Sequence, residues 1–252
     1  MSKNPKENKT KNAIYAWGAN KRDQLGRRML GRQRDSSSCL IPRLCIFPGD
    51  PKCDIGSIGA GDYHSFAVKL DGYVYAWGYN RYGQTGVVKG VDLIQGGSTV
   101  PVPTGVAFWA TDENKTRTSM LSGGMGHSVA VTNDGRCLSW GLIDGKVLGM
   151  RMAMIARDEI ISERGLEKIL KKPTLVSGIH GVVSKGMAGP SHSILVTRRG
   201  TAYAWGSNGE FEVRQPRSDG VELPSAIQTN ELRKLRVVDA AVGRQFSILL
   251  AE

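Results

Sequence analysis

Apolar and polar side chains alternate over short runs along most of this chain, and the runs come in pairs. Phe66 and Val68, Val129 and Val131, and Ile194 and Val196 each mark a first run, which a glycine turn joins to a second run ending in Trp-Gly. Alternation with period two predicts strands, and two such runs split by a tight turn predict a hairpin. Asp71-Gly72 and Asp134-Gly135 supply two of these turns; the third, Arg199-Gly200, keeps only the glycine, the residue that reaches positive φ at no steric cost.

The pairs are copies of one unit. Trp17-Gly18, Trp77-Gly78, Trp140-Gly141 and Trp205-Gly206 recur at intervals of 60, 63 and 65 residues, and His64-Ser65, His127-Ser128 and His192-Ser193 each stand 13 residues before their tryptophan. The segments GAGDYHSFAVKLDGYVYAWG, SGGMGHSVAVTNDGRCLSWG and MAGPSHSILVTRRGTAYAWG therefore align without a gap. A fixed period identifies a repeat architecture before any local assignment is made. A unit of this length holds the two strands just read and has room for two more. A four-stranded sheet cannot bury both faces alone, and radial stacking of such sheets covers them. Trp17, Trp77, Trp140 and Trp205, with Gly78, Gly141 and Gly206, are then the structural repeat, each indole removing about 150–250 Å² from water between blades.

The repeat is out of phase at its ends. Residues 13–18 carry a Trp-Gly half, and residues 242–250 carry the other half with Phe246 in the histidine's place. Together they amount to one blade, an arrangement that closes many propeller rings. The expected fold is an all-β propeller of about four blades, partial or small, over residues 13–252, preceded by a disordered basic tail over 1–12. Residues 152–172, with Ile155, Ile160, Leu166, Ile169 and Leu170 among charges, predict a short helical insertion on the rim or a helix for a partner.

Composition fits this picture. Glycine is 32 of 252 residues and apolar residues make up 40%, which disfavours disorder and favours a turn-rich β fold. The formal net charge of +11 points to an acidic partner, whether nucleic acid, an acidic protein face or anionic lipid. Six basic residues, Lys21, Arg22, Arg27, Arg28, Arg32 and Arg34, face one acid, Asp23, across residues 21–34. Arginine forks suit phosphate and carboxylate alike, while the absence of aromatics between them disfavours stacking of single strands. Cys39, Cys45, Cys53 and Cys137 lack metal or disulfide spacing, and three histidines more than a blade apart cannot share a metal. The polar start and the lack of an apolar run of about 18 residues disfavour secretion and membrane spanning. With no nucleophile–base pair, phosphate loop or dinucleotide fingerprint, the expectation is a protein-binding platform without bond-making chemistry or cofactor.

The pattern G-x-G-x-x-H-S-x-x-V-x-x-D-G-x-x-Y-x-W-G, followed by Asn80, Gly83, Gln84 and Gly86, resembles the regulator of chromosome condensation repeat over residues 13–110, 119–150 and 183–252. That family spans exchange factors, ubiquitin ligases and scaffolds, and its complete propeller has seven blades. Gln24-Leu25-Gly26-Arg27, a basic excursion, and Ile41-Pro42-Arg43-Leu44 are similar to a later blade of the family's exchange factors for the small GTPase Ran. The resemblance implies Ran as partner, histones or DNA as further partners, and the nucleus as location, with the cytoplasm as a second compartment. It assigns partner contact first to His127, then to His64 and His192, with Arg27, Arg28, Arg32 and Arg34. The bland alternative is that each histidine bonds to a neighbouring blade's backbone. Units three and four depart from N-x-x-G-Q-x-G, reading Leu142–Gly149 and Ser207–Val213, and no segment matches the family's β-wedge or its acidic exchange residue. A non-exchanging scaffold is thus the second expectation, and an open propeller implies self-association.

Overall fold

The computed structural model describes residues 13–27, 38–49, 54–87, 99–106, 117–163, 167–227 and 234–252. The hairpins fall where the alternation placed them. Strands β3 (Ile55–Ala60), β4 (His64–Lys69), β5 (Val74–Tyr79) and β6 (Thr99–Gly105) form one antiparallel blade. A second blade holds β7 (Thr118–Gly123), β8 (His127–Thr132), β9 (Cys137–Leu142), β10 (Ile160–Glu163) and β11 (Glu167–Leu175), in the order β10-β11-β9-β8-β7. The third blade runs β12 (Val183–Ala188), β13 (His192–Thr197), β14 (Ala202–Gly206) and β15 (Val221–Ala226). At the two ends stand half-blades, β1 (Tyr15–Ala19) with β2 (Ser38–Leu44), and β16 (Val237–Val242) with β17 (Ser247–Ala251).

Register is the same in every complete blade: His64 pairs with Gly78, His127 with Gly141 and His192 with Gly206. The glycine of Trp-Gly is fixed by that pairing. Gly141 sits at φ 107°, and a Cβ there would lie 2.4 Å from the Gly126 carbonyl oxygen and 2.9 Å from His127 Cα. The hairpin with Arg199 in the aspartate's place forms like the others, because Gly200 alone takes the left-handed conformation, at φ 86°.

The core lies between sheets. Trp140 packs edge-on against Phe66 of the blade before it, at 6.2 Å between ring centroids, and Trp77 packs likewise against Phe47. Trp77, Trp140 and Trp205 are no more than 3% exposed, as the repeat predicts. Trp17 departs from them at 61% exposed, since no described sheet precedes its half-blade.

Two further expectations are corrected. The terminal halves do not merge into one blade: β1-β2 and β16-β17 are separate two-stranded sheets, so the described residues form an open arc of three complete blades. The segment 152–172 is not a helix. It contains two single 3-10 turns at 152–154 and 157–159 and then the hairpin β10–β11. Its apolar spacing does not hold the helical period, and β11 fills the fourth strand position on β9, where Ile169 and Leu170 are both buried. Tertiary demand decides such a segment over helix propensity.

Candidate partner-binding face

Two sets of loops meet at the same end of the strands: those between the first and second strands of each blade, and those that follow Trp-Gly. The second set is built alike in all four units although its sequence drifts. Left-handed residues stand at two stations, first Asp23, Gly83, Lys146 and Phe211, then Gly26, Gly86, Gly149 and Arg214. In three units an asparagine side chain holds the turn, Asn20 Oδ1 accepting from Leu25 N, Asn80 Oδ1 from Thr85 N and Asn208 Oδ1 from Val213 N. The departures from N-x-x-G-Q-x-G thus change side chains and keep the backbone path.

This loop closes each junction between blades. Ser128 Oγ donates to the Gln84 carbonyl at 2.7 Å, and Trp140 Nε1 donates to the same oxygen at 3.0 Å. His64 Nε2 lies 2.8 Å from Ser128 Oγ. The serine's one proton is committed to the carbonyl, so the imidazole is the donor and carries its hydrogen on Nε2. The same set recurs as Ser65 and Trp77 on the Gln24 carbonyl, His127 with Ser193, Trp205 on the Val147 carbonyl, and His192 with Ser247. Burial pushes His64 and His127 down to about 3, each helped by the next histidine along, and lowers His192 against the opposing pull of Glu212. A neutral imidazole that donates to a serine cannot take that serine's proton, so these pairs are not nucleophile–base dyads.

His64, His127 and His192 are completely buried. They have no surface to offer a partner, and the binding role expected of their rings is replaced by a junction role. Their Nε2 atoms bond to the next blade's serine hydroxyl, and His192 also has a hydrogen bond to the backbone of Phe246 in the neighbouring half-blade. Arg27 is half-buried, and its charge opposes the upward shift that burial imposes on the Cys45 thiol. Arg28, Arg32, Arg34 and the tail over 1–12 lie outside the described residues.

What the loops do expose is Tyr63, Arg22 and Arg81, gathered around the half-buried Tyr82 and the buried Tyr79. Tyr63, Tyr79 and Tyr82 stack edge to face at 6.1 and 6.0 Å. The Arg22 guanidinium covers the Tyr79 ring at 4.6 Å, and that of Arg81 lies 5.8 Å from the Tyr82 ring. Beside it the histidine loops are stitched blade to blade, Asp62 N donating to the Gly124 carbonyl and Met125 N to that of Pro190. Burial raises the Asp62 carboxyl, and Arg244 from the last loop pulls it back. Aromatic and arginine side chains beside an exposed acid have the composition of interface hot spots. The repeat pattern missed them because they occupy its variable positions: Tyr63 immediately precedes the histidine, and Arg22, Arg81 and Tyr82 fill the two places after the asparagine. Basic and aromatic residues concentrated in those places in the first two units are the signal that marks the face.

Models of the regulator of chromosome condensation (RCC1) repeat match residues 11–68 and 71–131 in one form and 57–84 and 187–211 in another. Protein pim1 of Schizosaccharomyces pombe is 34% identical over 241 residues, covering 95% of this chain and 42% of that protein. The guanine nucleotide exchange factor SRM1 of Saccharomyces cerevisiae is 28% identical over 236 residues, covering 93% and 46%. The crystal structure of Prp20p from Saccharomyces cerevisiae, described with its binding to Gsp1p and histones, superposes with a TM-score of 0.80 at 25% identity, covering 95% of this chain and 51% of that one. The chain spans about half the length of the relatives it matches.

Proposed function

The chain belongs to the regulator of chromosome condensation repeat family, and from that premise we propose that it serves guanine-nucleotide exchange on a Ran-type small GTPase, through protein binding alone. The reading is supported by similarity to an exchange factor along nearly the whole chain, joined to the tyrosine–arginine cluster on the loop face. Such a factor makes and breaks no covalent bond. It binds the nucleotide-free GTPase more tightly than the loaded form, and by linkage its binding lowers nucleotide affinity equally. Tyr63, Tyr82, Arg22 and Arg81 would meet the GTPase, with Tyr79 supporting Arg22 from beneath and Asp62 and Met125 at the patch edge. Arg28, Arg32 and Arg34, outside the described residues, belong to the same proposal through the basic run of the sequence. The nucleus is the proposed location. Release of a fluorescent guanine nucleotide from the GTPase tests it: acceleration that disappears with Arg22→Glu and Arg81→Glu supports the role, and no acceleration at micromolar protein removes it for this chain.

A second reading has its own support. The net charge of +11 and the histone binding described for Prp20p favour a chromatin-bound scaffold that holds a partner without exchange. Pull-down under rising salt separates the two readings, because contacts to DNA phosphates weaken steeply as counterions are restored.

A further inference from the structure

Gln84 lies in the loop that follows β5 and is wholly buried. Its main chain and its side chain have separate tasks. The carbonyl oxygen accepts from Ser128 Oγ and Trp140 Nε1 and so closes the junction to the next blade. The side-chain Oε1 accepts from Tyr82 N at 2.9 Å, and Nε2 donates to the Met125 carbonyl at 3.4 Å, the longer and weaker of the two bonds. Tyr82 and Met125 belong to different blades, and both stand on the candidate partner face.

The turn itself is held without this side chain. Asn80 Oδ1 accepts from Thr85 N at 3.0 Å and from Thr85 Oγ1 at 2.6 Å, and Asn80 Nδ2 donates to the Val87 carbonyl at 2.9 Å. What the Gln84 amide adds is the placement of two residues at the surface. The Tyr82 ring rests on Gly126, where an added Cβ would come within 3.0 Å of Tyr82 Cδ2. Tyr82 therefore sits on the same loop that Gln84 holds through Met125, and one buried amide sets the spacing of both loops. Gln24 repeats the acceptor half of this arrangement on Arg22 N, and Glu212 repeats it on Glu210 N, each at 2.9 Å. Val147, at the same place in the third unit, has no side-chain acceptor to offer.

We propose that Gln84 is a positioning residue for the partner face: it holds Tyr82 and Met125 at the spacing that the GTPase meets, without touching the GTPase itself. The inference rests on the exchange reading given above. Side chains fixed before association lose less freedom when the partner arrives. Loss of the amide therefore raises the GTPase concentration needed for half-maximal exchange by about tenfold, the scale of one hydrogen bond. The rate at saturation stays as it was, because what is lost is binding common to every step.

The test is release of a fluorescent guanine nucleotide from a Ran-type GTPase, followed over a range of GTPase concentrations with catalytic amounts of the 252-residue chain. Gln84→Met, close to glutamine in volume, removes both side-chain bonds and keeps the carbonyl that closes the junction. The expected result is a half-saturating concentration about tenfold higher at an unchanged maximal rate. In a chain already carrying Tyr82→Ala and Met125→Ala, the same substitution adds no further loss, since it acts through those two residues. A half-saturating concentration equal to that of an active parent overturns this proposal and leaves the exchange reading standing. So does a lower maximal rate at an unchanged half-saturating concentration, the mark of a smaller folded fraction, or a further loss in the Tyr82→Ala, Met125→Ala background. No acceleration by the parent chain removes the exchange reading and this proposal together.

Discussion

Acid should loosen this protein through its junction histidines before most carboxylates are protonated. His64 and His127 titrate near 3 in the folded chain, because burial excludes the charged ring, and near 6.5 once unfolded. Below 6.5 the unfolded chain therefore takes up protons that the folded chain refuses. Stability from these two groups is whole above about pH 6.5 and drains as pH falls toward 3. At pH 5 each histidine costs about 2 kcal/mol, since 1.5 units separate that pH from the unfolded value at 1.36 kcal/mol per unit. The acids whose values are lowered, Asp134, Glu212, Asp219 and Asp239, lose their contribution mainly at lower pH, below about 4. Asp62, raised by burial, works the other way. Urea unfolding followed by tryptophan fluorescence at pH 7.5 and 5.0 should show about 4 kcal/mol less stability at the lower pH. His127→Gln, which keeps a donor for Ser193 and cannot titrate, should roughly halve that difference. Equal stability at the two pH values, or an unchanged difference in the variant, would refute the assignment of neutral, donor imidazoles.

Three other outcomes are expected. Trp140→Ala should cost about 3–5 kcal/mol in chemical unfolding, whereas Trp17→Ala, at an exposed site, should stay within about 1 kcal/mol in dilute protein. Gly141→Ala should lower the melting temperature measurably, as it places a Cβ 2.4 Å from the Gly126 carbonyl at φ 107°, a conformation that costs about 1–3 kcal/mol. Arg22→Glu combined with Arg81→Glu should weaken GTPase binding by about tenfold or more in a titration while leaving the melting temperature unchanged, because both side chains lie on the surface.

The blades were legible because the residues that repeat are those that make the junction. Trp, His, Ser and the glycine after Trp each have one geometry to satisfy, so their spacing is held while loops drift. The same fact explains why the histidines misled as binding residues: a position kept for an internal bond and one kept for a partner look alike in a repeat. The segment 152–172 was misread because its charges and scattered isoleucines carry no clear period, and its strand arises from the vacancy beside β9. Complementary half-units at the two ends gave no information on curvature, which depends on how the sheets pack, and so ring and arc stayed open until the described residues showed an arc. The tyrosine–arginine cluster required coordinates, since Tyr63, Tyr79 and Arg22 come together only when loops from two units are adjacent.

The shared carbonyl at each junction gives the arc a direction. The acceptor always belongs to the earlier blade, and the hydroxyl and indole that use it belong to the later one. Peeling from the C-terminal side thus strands that oxygen and the histidine N–H beside it, both of which water can satisfy at once. Peeling from the N-terminal side instead strands two donors and bares an aromatic ring, so unzipping should begin preferentially at the trailing end.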